Sequence, residues 1–202
     1  MPASFVSGHA GSPLCLYTWH VTGANSNIYL IGPTGAGKTA VGKQLARETG
    51  LKFLDSDHEI EKRTGVEISY IFEKEGEAGF RDREKEMIKE LSALEGVIIA
   101  TGGGAVLAKA NRKCLSASGV VVYLKTGVKD QLRRTGRSRN RPLLNHEDPQ
   151  QVLEQMAAVR GPLYEEIAEV TLDTSNQRVR SVARQLKQLL EQRGCLPRPA
   201  VE

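Results

Sequence analysis

An α/β domain with a five-stranded parallel sheet flanked by helices is the fold class this sequence predicts, on three observations. Short apolar runs alternate with helix-patterned segments from Asn27 onward. That order makes neighbouring strands parallel and lays the crossover helices on the sheet faces. One run, Val120-Val121-Val122-Tyr123-Leu124, is apolar without a break, as suits a strand covered on both faces. The third observation is Gly32-Pro33-Thr34-Gly35-Ala36-Gly37-Lys38-Thr39, which fits G-x-x-x-x-G-K-[ST] between an apolar run and a helical pattern. Strand, glycine loop and helix in that order make a phosphate-binding loop. Its glycines let backbone N–H groups converge on phosphate oxygens, and the helix N-terminus adds partial positive charge there. The chain is therefore read as binding a nucleoside triphosphate through Gly35, Ala36, Gly37, Lys38, Thr39 and Ala40. Lys38 reaches the β- and γ-phosphates, and the Thr39 hydroxyl sits on Mg²⁺.

Taken in order, residues 28–31 form the first strand and 38–49 the helix that leaves the loop. Residues 52–55 make a short strand ending on acid, and 57–94 a long helical region broken at Gly65 and Gly76. Residues 97–100 read as a buried strand stopped by Thr101-Gly102-Gly103-Gly104, with a helix over 106–115 behind it. The fourth strand spans 120–124 and a helix follows over 128–134. Residues 135–148 are polar, basic and loop-like. Pro149 opens a helix towards Tyr164, since proline is tolerated in a first helical turn. Val170-Thr171-Leu172 is the last strand, and Val179, Val182, Leu186 and Leu189 form the apolar stripe of a final helix.

Length and composition bound the rest. A chain of 202 residues, 40% hydrophobic and 26% charged, suits one globular domain, placed at residues 27–192. Residues 1–26 carry no Lys or Arg and no periodicity, and are read as a flexible extension without signal or transit character. Residues 193–202 are read as a tail. No apolar run approaches a membrane span, so the expectation is a cytoplasmic protein, taken as a monomer with no membrane partner. Cys15, Cys114 and Cys195 are far apart with no metal-ligand spacing, as expected of reduced thiols. The net charge is +4, with Arg133, Arg134, Arg137, Arg139 and Arg141 crowded together. No aromatic interleaves them for base stacking, so the cluster argues for gripping nucleotide phosphates and against nucleic acid.

Ligands of a doubly wound sheet sit at the carboxyl ends of its strands, which collects several groups on one edge. Asp55 is placed for Mg²⁺, which prefers oxygen ligands. Asp57 either orients an acceptor hydroxyl and takes its proton or caps the helix that follows, and both roles are compatible. Arg81 and Glu84 share a helix face, where most such pairs are surface ion pairs and some bind ligand. Three consecutive glycines after a buried strand suit either a tight turn or a substrate passing over bare backbone. A basic loop of this length is typical of a lid, and Arg160 on the next helix can face the same pocket.

Together these residues resemble the shikimate kinase family, over most of the chain from about residue 27 to about 190. The phosphate loop alone is widespread. The ordered set is specific: Asp55-Ser56-Asp57, Phe80-Arg81-Asp82-Arg83-Glu84, residues 101–104, Arg141-Pro142-Leu143-Leu144, and Arg160 with Leu163-Tyr164-Glu165-Glu166. The resemblance implies a P-loop NTPase fold of the nucleoside monophosphate kinase type with a mobile lid at about 135–148. It also implies ATP-dependent phosphorylation of the 3-hydroxyl of shikimate, the fifth step of chorismate and aromatic amino acid biosynthesis. By it Asp57 holds the reacting hydroxyl, while Arg81, Arg160 and the Gly103 backbone bind shikimate, with Glu84, Gly102 and Gly104 beside them. Arg141 is the lid arginine on the phosphates, Gln177 and Arg134 lie against adenine, and Thr39 with Asp55 serves Mg²⁺. The extension before residue 27 and a threonine at position 39, often serine in the family, are slight departures. A gluconate or nucleoside monophosphate kinase is the nearest rival. A GTPase switch would need a guanine-reading Asn-Lys-x-Asp, which is missing.

Overall fold

The computed structural model describes residues 26–135 and 148–196. Five strands, β1 (Asn27–Ile31), β2 (Lys52–Asp55), β3 (Val97–Ala100), β4 (Gly119–Lys125) and β5 (Val170–Asp173), form one sheet in the order β2-β3-β1-β4-β5. Every pairing is parallel. Around it pack α1 (Lys38–Thr49), α2 (Ser56–Thr64), α3 (Ile68–Leu91), α4 (Lys109–Ser118), α5 (Val128–Thr135), α6 (Pro149–Ile167) and α7 (Val179–Gln192).

The pleat of β1 explains the two cores. Ile28 and Leu30 face a cluster with Val41 and Leu45 of α1 and Val182 and Leu186 of α7. Tyr29 and Ile31 face the opposite cluster, with Ile71, Ile88, Leu115 and Tyr164 from α3, α4 and α6. Period-two alternation sends successive side chains to opposite faces, so a central strand must be apolar throughout. All five residues of β1 are buried.

Strand order places the functional edge. The chain leaves β1 towards β2 on one side of the sheet and leaves β3 towards β4 on the other. The loops after β1 and β3 therefore diverge, and a crevice opens between them at the topological switch point. Those two loops hold residues 32–37 and 101–104.

Several details depart from the sequence expectation. The helix expected over 106–115 is a 3₁₀ turn, Ala105–Leu107, followed by α4 from Lys109, with Ala108 extended between them. Side chains of α4 hold this reset: Asn111 Nδ2 donates to the Ala105 carbonyl at 2.9 Å and Arg112 Nη1 to the Val106 carbonyl at 2.7 Å. In α7 the buried stripe is Val182, Ala183, Leu186 and Leu190, while Val179 is exposed. Cys195 and Leu196 are buried against the α1–α7 core, so packing continues past residue 192. The break at Gly76 is a kink inside α3, and the one at Gly65 ends α2. Among the described residues no helix is long and apolar enough to cross a membrane. Thr135, read as the start of the loop, is the last residue of α5, and Asp148 caps α6. The calls on Arg137, Arg139, Arg141 and the rest of the lid, on Cys15 and on the N-terminal extension before Ser26 lie outside the described residues.

Candidate active site

The loop after β1 is built from main chain. Gly37 precedes α1 with φ of 93°, a left-handed conformation that glycine adopts without a Cβ penalty. Lys38 opens the helix, and its Nζ donates to the carbonyls of Gly32 at 2.7 Å and Pro33 at 2.9 Å. The ammonium is thereby folded over the loop whose N–H groups would meet phosphates. Arg134 ties this loop to the far wall. Its Nη1 donates to the Gly35 carbonyl at 3.1 Å, and its Nη2 to the Thr174 carbonyl at 2.6 Å. The Thr174 hydroxyl in turn donates to the Ala36 carbonyl at 3.0 Å. Gln177, just beyond, lines the same cleft and donates to the Asp173 carbonyl at 2.6 Å.

At the end of β2, Asp55 rather than Asp57 caps α2. Its backbone is extended, and Oδ1 accepts from the N–H groups of Asp57 at 3.1 Å and His58 at 3.5 Å. Its other oxygen, Oδ2, accepts from the Thr39 hydroxyl at 2.7 Å. Asp57 is thus released from capping and turns into the cleft. Burial, then the charges of Asp55 and Glu84, raise its carboxyl to about 7, against the pull of Lys38 and Arg81. A carboxyl there sits in the range where a proton is readily exchanged at neutral pH.

Opposite lie Arg81 and Glu84 on α3. Arg81 Nη1 donates to Glu84 Oε2 at 2.8 Å, and its Nη2 to Glu77 at 2.9 Å. The Glu84 side chain is 1% exposed, so this is no surface ion pair. Burial raises the Glu84 carboxyl and Arg81 opposes the rise. Glu84 Oε1 is buried without a hydrogen-bond partner. It points at Gly102, where a Cβ would stand 2.7 Å from both this oxygen and Asp57 Oδ1. Only a bare Cα fits between the two carboxylates. The Gly102 N–H is held by Ser56 Oγ at 3.1 Å, and the Arg81 guanidinium lies against Gly104.

The phosphate loop from Thr34, Asp55, Asp57, Arg81, Glu84 and the glycines 102–104 line one cleft of about 830 Å³. Gly35, Ala36, Gly37, Lys38, Thr39, Ala40, Arg134 and Gln177 lie along one half, and Asp57, Arg81, Glu84, Gly102, Gly103, Gly104 and Arg160 along the other, with Asp55 between. Every described residue given a site role from the sequence is brought there except Arg133 of the arginine cluster, which is exposed and pairs with Asp130. Sequence reasoning missed the apolar wall: Ile68, Phe72 and Phe80 line the acceptor half, with the two rings 4.8 Å apart. A helical apolar stripe reads as core, so nothing local marks Phe72 as cleft-facing. Thr174 and Ser56 were also passed over, being single polar residues whose partners are remote in sequence.

A parallel sheet whose switch-point crevice holds a phosphate loop, facing a carboxylate and arginines, defines a P-loop small-molecule kinase. The sequence model of the family described as shikimate kinase matches residues 34–191. The chain belongs to the shikimate kinase family. It is 54% identical over 166 residues to the shikimate kinase of Pasteurella multocida (strain Pm70), covering 82% of this chain and 95% of that one. It is 57% identical over 161 residues to the shikimate kinase of Thioalkalivibrio sulfidiphilus (strain HL-EbGR7), covering 80% and 85%. Among solved structures, shikimate kinase from Acinetobacter baumannii in complex with shikimate matches with a TM-score of 0.81 at 50% identity, covering 83% of this chain and 93% of that chain.

Proposed function

We propose that this enzyme transfers the γ-phosphoryl group of ATP to the 3-hydroxyl of shikimate, giving shikimate 3-phosphate and ADP in aromatic amino acid biosynthesis. One observation carries the reading beyond the family. A half-cleft of main-chain donors faces a half-cleft holding a perturbed carboxyl and two arginines, within a space sized for two small molecules.

In this reading the ATP phosphates lie over residues 35–39, and Lys38 exchanges its carbonyl partners for phosphate oxygens. Arg134 and Gln177 flank the adenine. Arg81 and Arg160 hold the shikimate carboxylate, since guanidinium forks match carboxylates bidentately and fix a small rigid acid. Arg81 is oriented beforehand by Glu84 and Glu77, so little ordering remains to be done on binding. The ring passes over the backbone of residues 102–104, and the 3-hydroxyl meets Asp57. The hydroxyl oxygen attacks the γ-phosphorus, the bond to the β-bridging oxygen breaks, and the proton passes to Asp57. Arg141, outside the described residues, is assigned to the transferring phosphate by resemblance.

The donor set also suits Mg²⁺. Thr39 Oγ1 and Asp55 Oδ2 are paired oxygens at the cleft, 2.7 Å apart. Among the described residues no group of three or more His, Cys, Asp or Glu could hold a metal. A hard cation taking few protein ligands and sharing phosphate oxygens fits that arrangement. Thr39 and Asp55 would hold it, and when bound it neutralises charge on the phosphates. We further read the enzyme, by resemblance to its family, as a cytoplasmic monomer with a lid at about 135–148, in a domain that starts at about residue 27 and takes in Cys195 and Leu196, which pack on the α1–α7 core.

An ADP-release assay offering shikimate, gluconate and nucleoside monophosphates as acceptors tests the reading. Turnover with shikimate alone is expected, lost with EDTA and restored by Mg²⁺. Absence of shikimate-dependent turnover overturns it.

A further inference from the structure

We infer that Tyr164 is a positioning residue for the acceptor half of the cleft, acting through the carbonyl of Gly103 and the guanidinium of Arg160. The inference rests on the functional reading above, which gives the stretch Leu163-Tyr164-Glu165-Glu166 no task. Tyr164 lies on α6 with 2% of its surface exposed, its ring stacked on Tyr123 at 5.0 Å between centroids. Its hydroxyl donates to the Gly103 carbonyl at 2.5 Å, across the cleft floor from its own helix. Arg160, one turn earlier, borders the same small void as Tyr164, and its charge acts on that hydroxyl. Burial raises the phenol well above its ordinary value, so it stays a protonated donor at working pH.

Gly103 is gripped from two sides. A Cβ there would stand 3.3 Å from both the backbone nitrogen and Oγ1 of Thr34, so the phosphate loop presses on one side and Tyr164 holds the other. The hydroxyl therefore links three parts meant to act together: the phosphate loop, the glycine floor and an acceptor arginine. A void of about 40 Å³, bordered by Thr34, Tyr123, Arg160 and Tyr164, gives these groups room to shift once that bond is lost. The helix backbone alone does not set the geometry. Pro162 lies inside α6, and its missing N–H interrupts the ladder just past Arg160. Glu166 adds a tie of its own, pairing with Arg112 Nε at 3.1 Å while Arg112 holds the 3₁₀ turn behind the glycines. The motif latches α6 to the acceptor floor.

Tyr164→Phe keeps the ring and its stacking and removes only the hydroxyl. Steady-state kinetics in both substrates, thermal melts, and a packing control in the other core, Leu186→Ala, form the test. The expected result for Tyr164→Phe is a shikimate KM raised about five- to tenfold, with the ATP KM within about twofold, as one lost hydrogen bond on one side of the cleft gives. Leu186→Ala is expected to lower the melting temperature more while leaving the ratio of the two KM values unchanged. An unchanged shikimate KM in Tyr164→Phe, or both KM values rising together as far as in the control, overturns the inference. Failure of the wild-type protein to use shikimate would instead overturn the functional reading.

Discussion

The two halves of the cleft are made differently. The nucleotide half is nearly contiguous in sequence and consists largely of backbone: residues 35–40, positioned by β1, α1 and the left-handed glycines Gly35 and Gly37. The acceptor half gathers Asp57, Arg81, residues 102–104 and Arg160 from four separate elements, and most of its chemistry lies in charged side chains. A backbone cradle is held by the chain's own hydrogen bonds, here those of Lys38 and Arg134 to loop carbonyls. A cluster of inward charged groups carries a desolvation cost, and burial accordingly raises the carboxyls of Asp57 and Glu84. In the proposed reading, generic recognition of phosphate is met by the first kind of construction, and recognition of one particular acid by the second.

The sharpest way to break this contrast is Asp57→Asn. Shikimate-dependent turnover is expected to fall about a thousandfold, the range for losing a positioned base, with ATP affinity by calorimetry within about twofold. Turnover within tenfold of the wild type would remove Asp57 from the chemistry.

Arg81→Ala comes next. The shikimate KM should rise about a hundredfold, since a bidentate carboxylate contact is lost, while the ATP KM stays within about threefold. Glu84 is left buried and unpaired, so the melting temperature should drop by roughly 5–10 °C. Adding Glu84→Gln should restore the melt without restoring the KM. Recovery of both would make Arg81 a purely structural residue.

A matched pair of glycine substitutions sharpens the comparison further. Gly37→Ala meets a φ of 93° with its Cβ in only an ordinary van der Waals contact, 3.9 Å from Val41 Cγ2, so the strain falls on the phosphate loop. Its ATP KM should rise about tenfold and its shikimate KM should barely move. Gly102→Ala drives a methyl between Asp57 and Glu84 and should show the reverse. Both variants raising both constants equally would mean that the halves are not separable.

The smallest effect is on stability without ligands. The Asp57 carboxyl, raised from 3.8 to about 7, contributes fully to stability below about pH 4, and that contribution is lost as pH rises to about 7. Asp57→Asn removes the buried charge, so its melting temperature should exceed the wild type's by a few degrees above pH 7. The gap should close towards pH 4, and a gap independent of pH would refute the assigned cause.

Legibility followed the same division. Strands β2 and β3 and helix α1 were readable to the residue, because their signals are local: apolar runs, glycine stops and the loop motif. The helical reset at Ala108 was not, since it depends on Asn111 and Arg112 reaching back to carbonyls. The sequence offered Asp57 as a cap for α2, whereas the cap is Asp55; both are aspartates near the helix start. The extended backbone at Asp55, at the end of β2, settles it.

By itself, the sequence determined the fold class, the nucleotide and, through the ordered set of motifs, the family. These are properties of periodicity and of contiguous residues, which need no knowledge of what lies across the molecule. Only the tertiary structure decided that Arg81 and Glu84 form a buried pair, that Gly102 separates two carboxylates, and that Tyr164 reaches the Gly103 carbonyl. Each is a contact between residues far apart on different elements, or a burial imposed by such neighbours. The strand order β2-β3-β1-β4-β5, which brings the loops after β1 and β3 together, is what makes those contacts possible.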